Sequence, residues 1–394
     1  MTAESAARTV RTLAVPPRMH VGGGAIRRVG EVVKSLDASR PVVVTDAFLA
    51  TTGVAQSVVD DLSAQGIDAV IFSGTVPDPT SGSLDLGLEM IRDHRADIVI
   101  GLGGGSPIDT AKALAVLAVI GGSMRDLKAP VSYAGEALPI VAIPTTAGTG
   151  SEATQFTVIS DDETGEKMLC GGPSYLPVAA VVDYELTLTM PARLTADTGI
   201  DALTHAVEAY VSKKANGFTD ALALGAIGAI GKHLRTAYFD GANVEARAAM
   251  MQAATYAGIA FSNASVALVH AMSRPIGAHF HVAHGMANAM LFTEVTRYSL
   301  GAADDRYAAC ARALGVADAA ASDAAAAESL VRELQALKLE LEVPTPQRFG
   351  VTAEAWEAAI PEMAQQAIAS GSHLNNPRVP TAADIETLYR AIYN

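Results

Sequence analysis

The chain of 394 residues has only two cysteines, Cys170 and Cys310, far apart and in no CxxC pattern. That scarcity argues against a disulfide frame and fits a reducing compartment. Positive charge is also short. Lys and Arg number 28 against 42 Asp and Glu, a formal net charge of -14, and no basic run interrupts it. Such a surface repels phosphate backbones, so nucleic acid is not an expected partner and small molecules are. Half of the residues are hydrophobic, yet no apolar run is long enough to span a bilayer; the longest, Ala111 to Gly122, is too short and opens with Lys112 close by. No membrane partner is expected. The opening MTAESAARTVRTLAVPP lacks the apolar stretch of a secretory signal, and reads as a short flexible leader on a cytoplasmic protein. Two common nucleotide fingerprints, GxGxxG and GxxxxGK[ST], do not fit the glycine-rich segment that is present.

What is there changes character half-way along. PVVVTD (41–46), AVIFSG (69–74), DIVIGLGGG (97–105), LPIVAIPTT (138–146) and VAAVVD (178–183) are apolar runs without in-out alternation. This predicts strands buried on both faces, hence a parallel sheet. Helical patterns such as GLEMIRDHR separate them, so residues 1–188 are expected to form a doubly wound α/β domain that binds a dinucleotide. After about Thr187 the pattern is helical throughout: ARLTADTGIDALTHAVEAYV, ALALGAIGAIGKHLRTAY, EARAAMMQAATYAGIAF and ADAAASDAAAAESLVRELQALKLEL. Residues 189–394 are expected to be an all-helical domain for metal and substrate, with Pro191 in the first turn of its first helix. The length accommodates two cores.

GLGGGSPIDTAK (101–112) lies where a strand ends and a helix begins. Gly103, Gly104 and Gly105 let backbone approach a ligand, Ser106 is placed to cap the helix, and the free amides at the helix start suit a pyrophosphate. Asp109, in the next turn, is a further cofactor-side candidate. PTTAGTGSEAT (144–154) also follows a strand and carries five hydroxyls, among them Thr145, Thr146 and Thr149, suited to phosphates, ribose and an amide. Asp46 ends a strand, where it can accept from a ribose diol and repel a 2′-phosphate, favouring NAD over NADP; the other reading is a helix cap.

Four of the nine histidines fall within His270 to His284. Upstream, Asp201 and His205 are four apart on a predicted helix, one turn from each other on one face. With His270 and His284 they offer one oxygen and three nitrogens, a set suited to Fe(II), Zn(II), Co(II) or Ni(II). His279 and His281 lie between the loop-borne pair, and are read as pocket-lining groups or as exposed loop residues.

GGGSPIDTAK, PTTAGTGSEAT, GIDALTHAVEAY, the His270–His284 segment with GMANAMLF, and NNPRVPT together resemble the iron-containing (group III) alcohol dehydrogenases over essentially the whole chain. The resemblance implies a dehydroquinate-synthase-like architecture with a catalytic metal in the cleft between two domains. It further implies metal ligands Asp201, His205, His270 and His284, a pyrophosphate loop at Gly103–Ser106, and a second cofactor loop at Thr145, Thr146 and Thr149. Lys167 is implied to touch the cofactor, Asp46 to select NAD, Phe261 to line the substrate pocket, and the chain to form a homodimer. The implied reaction is reversible hydride transfer between a carbinol carbon and nicotinamide, with substrate oxygen on Fe(II). Two alternatives stay open: a zinc polyol dehydrogenase like glycerol dehydrogenase, and a cyclase like dehydroquinate synthase with no net redox change.

One departure is informative. Family members usually carry a His-Pro pair four residues after the third ligand; here it is Arg274-Pro275. Arginine cannot shuttle protons near neutral pH. His279 and His281 are candidates for the proton relay, and Arg274 for clamping a carboxylate, sulfonate or phosphonate on the substrate; pairing with a local acid or a helix end is the other reading of Arg274.

Overall fold

The computed structural model describes residues 10–394, so the first nine residues of the leader reading lie outside the described residues. The strands are β1 (Met19–Val21), β2 (Pro41–Asp46), β3 (Val70–Thr75), β4 (Ile98–Gly103), β5 (Ile140–Pro144), β6 (Phe156–Ser160), β7 (Lys167–Gly171) and β8 (Ala179–Val182). Six of them make one sheet in the order β1-β8-β5-β4-β2-β3, with every neighbouring pair parallel, while β6 and β7 form an antiparallel ribbon. Helices α1 (Val29–Lys34), α2 (Ala47–Thr51), α3 (Val54–Ala64), α4 (Asp85–His94) and α5 (Gly105–Ile120) accompany the sheet.

The missing alternation in the strand sequences has its cause in β2. Val43 packs with Val29 of α1 and Val58 of α3 on one face, whereas Val42 and Val44 pack with Ile91 of α4 and Leu114 of α5 on the other. Alternate side chains thus enter two different buried layers, and neither face is left for water. Of the apolar stretch 111–122, residues 111–120 belong to α5, and those through Leu117 pack into the second layer. No helix among the described residues is long and apolar enough to cross a membrane.

The sequence reading omits β1 and the ribbon. β1 has three residues, too few to show a period, and β6 and β7 alternate between half-buried and buried positions around an acidic turn.

The rest is helical: α6 (Ala192–Val211), α7 (Gly217–Phe239), α8 (Val244–Ala264), α9 (Leu268–Phe280), α10 (His284–Ser299), α11 (Asp304–Leu314), α12 (Asp323–Glu340), α13 (Pro346–Phe349), α14 (Ala353–Ala369) and α15 (Ala382–Ala391). Every residue of α6 from Thr195 to Val211 is buried. Small residues make that possible. A Cβ on Gly199 would come 2.3 Å from Leu234 Cδ1 of α7, so a larger residue there would have to displace that side chain.

Three local expectations are corrected. Pro191 is the extended cap residue ahead of α6, with ψ of 153°, and not part of its first turn. The alanine-rich tract becomes helical only at Asp323, because Ser322 caps the helix by accepting from Ala325 N. Pro275 lies inside α9, and the helix runs on to Phe280. His270 is therefore helical, and His284 is the first residue of α10, so neither is carried by a loop.

Candidate active site in the cleft

In an open parallel sheet, ligands bind outside the carboxyl ends of the strands, at the point where strand order reverses. Here that point is between β2 and β4, since β3 lies on one side of β2 and β4 on the other. Asp46 ends β2 and Gly103 ends β4, so both sequence candidates flank it. Gly103 has φ of 149°, and a Cβ there would sit 2.5 Å from Pro107 Cγ. The turn it makes starts α5 at Gly105, with Gly104 as cap residue and no side-chain cap. The expected Ser106 cap is corrected accordingly: Ser106 falls within the first turn. The positive end of a sixteen-residue helix is left without a side chain over it, which is the condition for anion binding.

Asp46 does cap, accepting from Leu49 N of α2 at 2.8 Å through Oδ1. Its second oxygen remains for another donor. Asp109 is committed to its own chain, because Oδ1 accepts from Ser151 Oγ at 2.6 Å and Oδ2 from Val158 N at 2.9 Å. One carboxylate oxygen therefore braces the second loop and the other the strand β6 that follows it, which places Asp109 in support of that loop.

The second loop faces the first. A Cβ on Gly104 would lie 3.4 Å from Thr146 Cγ2, and one on Gly105 would lie 3.1 Å from Thr149 Cγ2. Thr145 is buried, and Thr146 Oγ1 is buried without a hydrogen-bond partner among the described residues. The glycines of this loop serve a purpose the sequence did not disclose. A Cβ on Gly148 would come 2.4 Å from Thr198 Cβ of α6, and one on Gly150 2.5 Å from Gly258 Cα of α8. They bring the loop against the helical half. Lys112, fully buried, ties it to α5 by donating to Thr154 O, Thr154 Oγ1 and Phe156 O. Burial lowers this ammonium to about 8, opposed by Asp109 and Glu152. Lys167, on β7, reaches across: its Nζ is 3.0 Å from Asp78 Oδ1 and 3.1 Å from where a Gly277 Cβ of α9 would be.

On α6, four-residue spacing brings Asp201 and His205 together as expected, and α9 and α10 add His270 and His284. One ligand atom from each of the four lies within 4.8 Å of all the others. Asp201 Oδ1 is 3.8 Å from His205 Nδ1, 3.6 Å from His270 Nε2 and 3.9 Å from His284 Nε2. A cation with bonds of about 2.0–2.2 Å spans ligand pairs near these separations.

Two further observations fit a cation. His205 Nδ1 is buried with no hydrogen-bond partner among the described residues. Asn288 Nδ2 lies 2.7 Å from Asp201 Oδ1, 3.1 Å from His270 Nε2 and 3.2 Å from His284 Nε2. Three electron-pair donors thus converge on one electropositive group. Asp201 and His205 have the protonation states of ligands, whereas at His270 the effect of burial, which alone would lower the imidazole, is outweighed by Glu208 and Asp201, which raise it. Burial lowers His205 to about 4, outweighing the Asp201 charge, so its ring is neutral at ordinary pH. Burial alone would raise the Asp201 carboxyl, but the surrounding imidazoles hold it below its ordinary value.

Glu208, one turn beyond His205, is a residue the sequence reading missed. It is buried and accepts from Ala267 N at 2.9 Å, Val269 N at 2.6 Å and His270 Nδ1 at 2.6 Å. With Nδ1 donating there, His270 is held with Nε2 toward the cluster, the usual bracing of a metal-binding imidazole. A second acid one turn beyond His205, on a helix already carrying Asp201 and His205, was the available signal. Phe261 stacks on His205 with ring centroids 4.2 Å apart, and the His270 ring stacks on His205 as well, at 4.5 Å. The cluster opens on one flank only: His284 keeps 39% of its side-chain surface exposed, against 5% or less for the other three.

The remaining candidates make no hydrogen bond to the cluster among the described residues. His279 Nε2 bonds Gln366 Oε1 at 3.2 Å, and His281 is exposed, in the left-handed conformation that ends α9. The structure gives neither of them a hydrogen bond to the four ligand residues. Arg274 is half-buried and, among the described residues, has neither a hydrogen bond nor a carboxylate within ion-pair distance.

Known proteins carry the same frame. The profile described as iron-containing alcohol dehydrogenase matches residues 16–184, and that of the C-terminal part of the Fe-containing alcohol dehydrogenase family matches 195–393. The chain is 37% identical over 377 residues to the NAD-dependent methanol dehydrogenase of Bacillus methanolicus, covering 95% of this chain and 98% of that one. A crystal structure of 1,3-propanediol oxidoreductase superposes with a TM-score of 0.93 at 36% identity, over 98% of this chain and 100% of the other. A sulfoacetaldehyde reductase from Bifidobacterium kashiwanohense, solved with NAD+, superposes at 0.88 and 27% identity over 98% and 99%. The chain belongs to the iron-containing alcohol dehydrogenase family, and is an oxidoreductase acting on alcohols or the corresponding carbonyls. This selects the dehydrogenase reading over the polyol-dehydrogenase and cyclase alternatives.

Proposed function

We propose that this chain is an NAD-linked dehydrogenase of short alcohols in which Asp201, His205, His270 and His284 hold Fe(II). The observation that carries the proposal is the convergence of one carboxylate and three imidazoles on α6, α9 and α10, next to a loop that also faces an uncapped helix end. When bound, a divalent metal supplies Lewis acidity toward an alcohol or carbonyl oxygen, and a nicotinamide supplies or accepts the hydride.

The protein's own groups do the placing. Gly103, Gly104, Gly105 and Ser106 present the α5 amides to the pyrophosphate, and the free oxygen of Asp46 accepts from a ribose hydroxyl, which favours NAD over NADP. Thr145, Thr146 and Thr149 hold the nicotinamide side, with Lys167 closing over it. Phe261 walls the substrate pocket and shields His205 from water. Zn(II), Co(II) and Ni(II) suit the same donors, and Fe(II) is preferred because the family is iron-containing. The proposed division is at residue 188, with the dinucleotide on residues 1–188 and metal and substrate on 189–394. Buried free thiols at Cys170 and Cys310 and an acidic surface support a cytoplasmic enzyme, and the family resemblance supports a homodimer.

Anaerobic purification followed by metal analysis and NADH formation from C2 to C6 alcohols and diols tests this. Stoichiometric iron and chelator-sensitive NADH production are expected. Full activity in metal-stripped protein would refute the metal role, and NADP-only turnover the role of Asp46.

A further inference from the structure

Every other buried or half-buried arginine of the helical half has protein acceptors. Arg247 donates to Gly241 O, Thr195 Oγ1 and Met190 O; Arg306 bonds Asp220 and Tyr210 O; Arg235 bonds Glu333 and Glu340; Arg193 bonds Asp197 and two carbonyls; Arg312 bonds Asp323 and Ala321 O. Arg274 is the exception. Its surroundings are desolvated enough to lower the guanidinium from its ordinary value, with Glu208 as the acid that opposes this. Glu208 is already occupied by two amides and the His270 ring. The guanidinium is half-buried, its nitrogens keep some contact with solvent, and no protein acceptor among the described residues meets its five N–H donors.

Position says what they face. Arg274 follows His270 by four residues, so both lie on one face of α9. Long helical side chains lean back over the preceding turn, here the turn that carries His270. One turn further along, Gly277 leaves room for the Lys167 ammonium, whose charge is also felt at His284, the open flank of the cluster. Two cations therefore border the approach to the ligand atoms, and only Lys167 has an acid partner, the half-exposed Asp78.

We propose, building on the dehydrogenase reading, that Arg274 determines specificity by clamping an anionic group at the far end of the substrate: a short aldehyde, or the matching alcohol, that ends in a carboxylate or sulfonate. The planar fork of arginine pairs two oxygens of such a group at once. One helical turn, about 5.4 Å, separates the roots of Arg274 and His270, which suits a chain of about three carbons between the two ends. A second positive charge beside a divalent metal and an oxidised nicotinamide is unfavourable with a neutral substrate and is balanced by an anionic one. The chemistry at the other end is unchanged. Hydride from NADH forms the new C–H bond, the carbonyl π pair moves to oxygen, oxygen takes a proton from water, and NAD+ leaves; Arg274 donates no proton.

The test compares reduction of 4-oxobutanoate, 2-sulfoacetaldehyde and neutral butanal by metal-loaded enzyme, for wild type, Arg274→Lys, Arg274→Gln and Arg274→Met. A calorimetric titration of 4-hydroxybutanoate into each enzyme–NAD complex runs beside it. Wild type should prefer at least one anion over butanal. Arg274→Met should lower kcat/KM for that anion by on the order of 10- to 100-fold, mostly through KM, the range expected for a lost charge-assisted pair. Butanal and NADH parameters should move little, and Arg274→Lys should fall between. A preference for carboxylate over sulfonate, or the reverse, identifies the native head group. Equal losses on anionic and neutral aldehydes, or a rise confined to the KM for NADH, would overturn the clamp in favour of a structural or cofactor role. If Arg274→Met does not fold, Arg274→Gln keeps the stem and answers the same question. Should no aldehyde be reduced, the dehydrogenase reading fails, and the titration still decides: binding lost in Arg274→Gln supports the clamp, and equal binding overturns it.

Discussion

The sheet side of the cleft and its helical side are built from different chemistry. On the sheet side the available groups are backbone amides, hydroxyls and positions that have no Cβ, as at Gly104 and Gly105 opposite Thr146 and Thr149. On the helical side they are ionisable side chains, all but His284 almost fully buried, and braced by Glu208 and Asn288. Backbone donors survive most side-chain changes and fail when atoms are added. A ligand set of four side chains fails when one is removed. Substitutions on the two sides should therefore separate cofactor binding from metal binding.

The largest effect is expected from Asp201→Ala. It deletes the oxygen to which all three imidazole nitrogens are near neighbours, at 3.6 to 3.9 Å. Loss of a group one step removed from a metal costs about 10- to 100-fold in affinity, so loss of a ligand should exceed about 100-fold. Metal analysis after dialysis should find the variant empty, with helix content by circular dichroism unchanged. Retention of a full complement of metal would show that the cluster is not the metal site.

A smaller effect, on the other side, is expected from Gly105→Val. The new Cβ lies 3.1 Å from Thr149 Cγ2, and its methyls fill the space over the α5 amides. The KM for NAD should rise roughly tenfold or more, about 1.4 kcal/mol for each tenfold, with metal content untouched. An unchanged KM would remove the glycine turn from the cofactor site and leave the contrast between the two sides without support.

Legibility followed the same divide. Asp201 and His205 could be paired from sequence because a helix puts residues four apart on one face. Their meeting with His270 and His284 rested on family resemblance, since no local rule brings α9 and α10 to α6. The parallel strands were legible because both faces are buried, whereas β1 was too short to carry a pattern. Gly148 and Gly150 were read only as part of a hydroxyl-rich loop, and the structure shows them packed against Thr198 and Gly258. Glycine marks a close approach without saying to what. Glu208 was passed over because a single acid in a helix is usually solvated, and its burial depends on partners about 60 residues away.

The smallest effect concerns the ribbon β6–β7, the sheet-side element that carries Lys167. Asp161, at its turn, accepts from Arg125 Nε at 2.8 Å and Nη2 at 2.7 Å. These bonds, with that from Glu163 N, hold the carboxyl down at about 2. The unfolded chain has the ordinary value near 4, so between about pH 4 and 2 it takes up a proton before the folded protein does. The stability contributed by Asp161 is then complete above about pH 4 and is lost as pH falls through that window. In urea unfolding, the midpoint gap between wild type and Asp161→Asn should be constant from neutral pH to about 5 and should narrow toward pH 3. Arg125 is partly exposed, so solvent screening keeps the gap small. A gap of the same size at pH 3 as at pH 7 would mean that the ribbon is held by packing and not by this ion pair, and that Lys167 owes its position to the sheet side's apolar layer.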